Sequence, residues 1–108
     1  MFKEAQDEVH SWVSGYEKPY WAPLSQFARL AEEVGEVGRL LNHIYGDKPK
    51  KPEEAEQELG KEIMDVIFTC ICLANAHKID LDEAFAKTME KSRTRDKDRF
   101  VKKDEHVG

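Results

Sequence analysis

Five carboxylates stand out by type and spacing: Glu32, Glu33 and Glu36 in one short stretch, and Glu62 and Asp65 further along. Residues three apart share one face of a helix, so Glu33 with Glu36, and Glu62 with Asp65, would each present a carboxylate pair. Like charges brought together raise one another's pKa and resist ionising, which makes such a cluster a poor structural device. A hard divalent cation removes the difficulty. An all-oxygen donor set suits magnesium or manganese over zinc or copper, and magnesium commonly combines a few carboxylates with water and substrate phosphate. The implied substrate carries phosphate. Asp65 is the most telling member, the sole acidic residue in the apolar run 63–76, where an Asp is seldom buried without a partner or a metal. The plainer alternatives are an ion pair between Asp65 and Lys61, and a solvated helix face for the three glutamates.

The elements that must position these groups read as four helices. Phe2, Ala5, Val9, Trp12 and Val13 recur at helical spacing up to Gly15. Pro23 suits the start of a second helix, on which Leu24, Phe27, Ala31, Val34, Leu41 and Tyr45 form the apolar stripe and Gly46 ends the element. Pro49 and Pro52 make Asp47 to Pro52 a basic connector. A third helix is expected from about Glu53 to His77, apolar nearly all round from Ile63 to Ala76. A fourth opens on a capping box, with Asp80 as the cap and Glu83 reaching back, and buries Leu81, Ala84, Phe85 and Met89. The short connector predicts that the second and third helices form an antiparallel hairpin. Glu36 lies nine residues before Tyr45 and Glu62 nine after Glu53, each roughly 13 Å from the turn. That count places Glu36 opposite Glu62 and Glu33 opposite Asp65. Four carboxylates could then converge.

Other groups fit a polyphosphate. Lys87, Lys91 and Arg95 repeat every four residues as a basic stripe on the last helix, able to hold phosphate and the charge on leaving pyrophosphate. Lys48, with Lys50 and Lys51, is a further phosphate candidate, although basic residues beyond a helix C-terminus are favoured by the dipole alone. Trp12, Tyr20 and Trp21 could stack on a nucleobase or serve as core residues. His43 reads as a surface or interface histidine, and no Glu-x-x-His pair supports a di-iron bundle.

Composition bounds the rest. A chain of 108 residues forms one domain, 1–108, with a core of about 2–96 and a polar tail of about 97–108. Charged residues at 36% and a net charge of -5 favour solvated helices and argue against general nucleic-acid binding. Cys70 and Cys72 do not match zinc or redox spacing and read as buried free thiols. No signal-peptide core or membrane-spanning run is expected, and the protein reads as soluble and cytoplasmic. The third helix has more apolar faces than one hairpin partner can cover, which predicts a homodimer or homotetramer.

Glu32-Glu33-Val34-Gly35-Glu36 followed by Glu62-Ile63-Met64-Asp65 resembles the EExxE and ExxD signature of MazG-type nucleotide pyrophosphohydrolases. The resemblance spans about residues 6 to 100 and includes the Tyr20-Trp21-Ala22-Pro23 entry, Gly46-Asp47-Lys48, Ile79-Asp80-Leu81 and the segment from Thr94 to Phe100. It implies an oligomeric, all-α, four-helix bundle-like enzyme with sites at subunit contacts. The implied reaction is magnesium-dependent hydrolysis of nucleoside or deoxynucleoside triphosphates to monophosphate and pyrophosphate, with manganese a substitute metal and non-canonical nucleotides a conceivable target. Carried onto this sequence, Glu33, Glu36, Glu62 and Asp65 would ligate metal, and Glu32 or Glu33 would activate water. Lys91 and Arg95 would contact phosphate. Arg93 stands where many relatives carry Asn. The alternatives are a phosphoribosyl-ATP pyrophosphohydrolase and a non-catalytic helical module.

Overall fold

A computed structural model describes residues 1–103, and the helical periodicity of the sequence becomes four helices with no strand among them. They are α1 (Phe2–Val13), α2 (Pro23–Tyr45), α3 (Leu59–Ala76) and α4 (Leu81–Thr94). Residues 104–108 of the expected polar tail lie outside the described residues. Pro23 occupies the first turn of α2, where its missing N–H costs nothing. Gly46 ends that helix because a Cβ there would lie 2.8 Å from the Asn42 carbonyl oxygen. The Asp80 carboxylate caps α4 by accepting from the Asp82 and Glu83 N–H groups at 2.9 and 3.2 Å. The reciprocal half of the expected capping box does not form, since Glu83 turns instead to Lys87 at 3.0 Å.

The start of α3 differs from the sequence expectation: it begins at Leu59, not near Glu53. Glu54 pairs with Arg39 of α2 and accepts from the Lys51 N–H, while Gln57 donates to Glu36. These contacts hold the approach to α3 against the flank of α2 and override the helical preference of its Ala and Glu residues. The connector therefore runs from Gly46 to Glu58, and the register of the hairpin moves with it.

Apolar on several faces, α3 packs against both α2 and α1. The α1 contact is antiparallel: Trp12 meets Phe68 with ring centroids 6.1 Å apart, and at the other end Gln6 Nε2 donates to Asn75 Oδ1 while Asn75 Nδ2 donates to the Gln6 backbone carbonyl. α4 packs chiefly on α1, through its first turns. There Phe85 meets Phe2 at 5.6 Å, and the Asp82 carboxylate accepts from the Phe2 and Lys3 N–H groups at 2.7 and 3.1 Å. The Phe2 bond, more than any other contact, holds the Asp82 carboxyl below its ordinary pKa.

The single copy has little core. Val13, Leu40, Ile71 and Ala74 are its buried apolar residues, and the radius of gyration is 18.5 Å against about 13 Å for a compact chain of this length. The apolar stripe of α2 expected to face the interior points outward, with Leu24 82% and Phe27 63% exposed and Val34, Leu41 and Tyr45 also uncovered. The face turned to α3 carries Gln26, Glu33 and Leu40 instead. On α3, Ile63, Met64 and Ile67 are exposed beside that stripe. Cys70 is exposed rather than buried, and Cys72 is half-buried. None of the described helices is long and apolar enough to cross a membrane.

Candidate active site

Three carboxylates converge where the first turn of α3 passes the middle of α2. One oxygen each from Glu33, Glu62 and Asp65 lies within 4.8 Å of the other two. Glu62 is only 7% exposed, and no Lys, Arg or His among the described residues forms an ion pair with it. It sits in the first turn of α3, whose N-cap Glu58 makes no side-chain cap bond, near the positive end of the helix dipole, which favours negative charge. Asp65 is more open, 37% exposed at its side chain, and makes the Lys61 ion pair at 3.0 Å. That hydrogen bond, followed by the charges of Asp65, Glu62 and Glu33, raises the Lys61 pKa. The burial expected of Asp65 belongs to Glu62, because Glu62 points at α2 while Asp65 sits toward the rim.

The donor set fits a hard divalent cation. Magnesium holds each oxygen at roughly 2.1 Å, which sets opposite ligands about 4.2 Å apart, close to the spread seen between these three groups.

Glu36 does not join the three. Its carboxylate accepts from Gln57 Nε2 at 2.9 Å and lies 3.6 Å from Arg39 Nη1. The expected levels, Glu36 against Glu62 and Glu33 against Asp65, are thus replaced by Glu33 against both α3 acids and Glu36 against Gln57, a direct result of the longer connector. Glu32 is exposed beside Glu33. His43 is not a surface residue: its side chain is buried, with Nε2 unpartnered and 3.9 Å from Glu54.

A cavity of about 490 Å³ lies next along the same two helices, lined by Trp12, Trp21, Gln26, Arg29, Phe68 and Thr69 among others. It gathers the aromatics expected at a base, Tyr20 included. Arg29 lies over the Trp21 ring at 5.3 Å and places Nε 3.9 Å from Glu33. On the facing helix, Thr69 donates to the Asp65 carbonyl at 2.9 Å. Burial raises the pKa of the Cys72 thiol on this wall, and Arg29 partly opposes the shift. Gln26 and Arg29 were not singled out from sequence. The available signal was that Gln26 and Glu33 precede the buried Leu40 by whole seven-residue steps and so share its face.

The basic candidates stand apart from the carboxylates. Lys87 pairs with Glu83 on its own helix. Lys91 and Arg95 are exposed further along α4, and Lys48 is exposed in the connector. Among the described residues, none of these four forms an ion pair with Glu33, Glu62 or Asp65.

Comparison with known proteins agrees with this architecture. The sequence model of the MazG nucleotide pyrophosphohydrolase domain matches residues 22–100, a span holding all five carboxylates. YpjD of Bacillus subtilis, an uncharacterized protein, is 46% identical over 103 residues, covering 95% of this chain and 93% of its own. The crystal structure of YpjD superposes with a TM-score of 0.78 at 42% identity, over 87% of this chain and 96% of that one. A Bacillus-conserved MazG protein, described as a nucleotide pyrophosphohydrolase, gives 0.75 at 40% identity over 91% and 95% of the two chains. With its four helices, paired carboxylate motifs and matched span, the chain belongs to the MazG family of nucleotide pyrophosphohydrolases.

Proposed function

We propose that this enzyme hydrolyses nucleoside or deoxynucleoside triphosphates between the α- and β-phosphorus, giving monophosphate and pyrophosphate, with magnesium held by Glu33, Glu62 and Asp65. The observation that carries the reading is the buried, unpaired Glu62 meeting two further carboxylates. Glu36, one turn from Glu33, is the fourth ligand once its carboxylate leaves Gln57. When bound, magnesium neutralises triphosphate charge and lowers the pKa of water for attack. Glu32 orients the attacking water or takes its proton, with Glu33 the second candidate for that role. The oxygen of that water bonds to the α-phosphorus as the bond to the bridging oxygen breaks, and pyrophosphate carries the electron pair away. Trp12 and Trp21 stack on the base, while Arg29 spans the distance between the base cavity and the carboxylates.

The phosphate contacts complete the site in an oligomer. Exposed apolar faces on α2 and α3, together with the large radius of gyration, favour a homodimer or homotetramer in which two hairpins cover each other. Lys87, Lys91 and Arg95 then reach the phosphates of a neighbouring copy's site, with Lys48 as a further contact.

Incubating the pure protein with individual triphosphates and magnesium, and assaying pyrophosphate, tests the reaction. Metal-dependent release that collapses in Asp65→Asn is expected. Release unchanged by that substitution overturns the assigned site.

A further inference from the structure

We propose that Gln26 determines base specificity, its buried carboxamide oxygen accepting a hydrogen bond from an exocyclic amino group of the nucleobase. The inference rests on the triphosphate reading above. Gln26 is 4% exposed and lines the aromatic cavity, and its Oε1 has no hydrogen-bond partner. A buried acceptor left unpaired is penalised by about a factor of 10 to 100 in an equilibrium, so a polar side chain at this position calls for a partner. Among the described residues none is supplied.

The cavity is placed to bring that partner. Gln26 and Glu33 lie seven positions apart on one face of α2, about 10 Å along the axis, the scale of a nucleoside with its first phosphate. Arg29 lines the cavity and places Nε 3.9 Å from Glu33, and Thr69, which lines it on the facing helix, lies one turn beyond Asp65. A base stacked against Trp12 or Trp21 therefore sits beside Gln26 when its α-phosphate is at the carboxylates. Stacking tolerates every base because each has a π-face. Discrimination needs a polar group in the wall, and a site built to pair a substrate group rejects the analogue lacking it. Oε1, left without a partner, is satisfied by the exocyclic amine of cytosine or adenine, whereas uracil and hypoxanthine place a carbonyl oxygen at the same position, which only the Nε2 end of a turned carboxamide would meet.

Pyrophosphate release with magnesium, compared for CTP against UTP and for ATP against ITP, tests this. The amino base is expected to lead in kcat/KM by about 10- to 100-fold in the pair turned over faster. Gln26→Leu should reduce that ratio to near one, while Gln26→Glu, which keeps an acceptor oxygen, should retain it. Equal rates within both pairs, or a preference that survives Gln26→Leu, overturns the proposal. Calorimetry with CMP against UMP and AMP against IMP reads the same preference without turnover. If no triphosphate releases pyrophosphate, the substrate reading fails, and the monophosphate affinities still decide the role of Gln26: tighter amino-base binding upholds it and equal binding overturns it.

Discussion

The acidic and basic halves of the proposed site are built to different degrees. Glu33, Glu62 and Asp65 come from two helices locked together by the longest interface in the chain, and one of them is buried. Lys87 and Lys91 come from α4, whose main contact is with α1 and which carries no buried residue, and Arg95 stands at its C-terminal end. The first set is organised within one copy, and the second awaits something to lie against. The difference teaches where the fold has invested its packing: a cation-binding cluster needs several ligands held within ångströms, whereas a lysine or arginine can reach phosphate from a mobile or neighbouring helix.

The sharpest way to break this contrast is to remove the acidic half. Glu62→Gln or Asp65→Asn should lower magnesium-dependent pyrophosphate release by about 1,000-fold, as expected when a preorganised electrostatic element of a phosphoryl-transfer site is lost. Circular dichroism should show the helices intact. Next comes assembly. Val34→Glu combined with Leu41→Glu puts charge on the outer stripe, and light scattering should then report a monomer with release reduced at least tenfold. The basic half follows. Lys91→Ala or Arg95→Ala should lower kcat/KM by about 10- to 100-fold, the worth of one charge-assisted contact to the transition state, with metal affinity unchanged. Mixing Asp65→Asn with Lys91→Ala subunits should restore part of the lost rate, because some sites then receive both intact halves.

The smallest effect is expected where α4 is anchored. Asp82 has a lowered pKa through its bonds to the Phe2 and Lys3 N–H groups. Its stabilising contribution is therefore full above the unfolded value of about 3.9 and fades as pH falls through the lower folded value. Asp82→Asn should lower the thermal midpoint near neutral pH and lose that difference toward strong acid, as read by thermal melts across the acid range.

Much of the frame was legible in the sequence because local chemistry set it. Pro23 and Gly46 bound α2 by geometry that no distant contact overrides, and Asp80 capped α4 as its side chain requires. The start of α3 was not legible, because Glu54 and Gln57 are held by Arg39 and Glu36 across the hairpin. That change moved Glu62 next to Glu33 and left Glu36 outside the cluster. Periodicity also identified the stripe from Leu24 to Tyr45 without saying which way it faces, since α2 has a second face through Gln26, Glu33 and Leu40. Asp65 drew attention as an acid in an apolar helix, yet the buried acid is Glu62. Isolation in sequence does not measure depth in the fold.

The central claim is that Glu33, Glu62 and Asp65 hold a divalent cation within one copy of the chain. An anomalous difference map from crystals grown with manganese tests it most directly. The account predicts a peak bounded by oxygens of those three residues, absent in Asp65→Asn; manganese bound only elsewhere, or unmoved by that substitution, would contradict it.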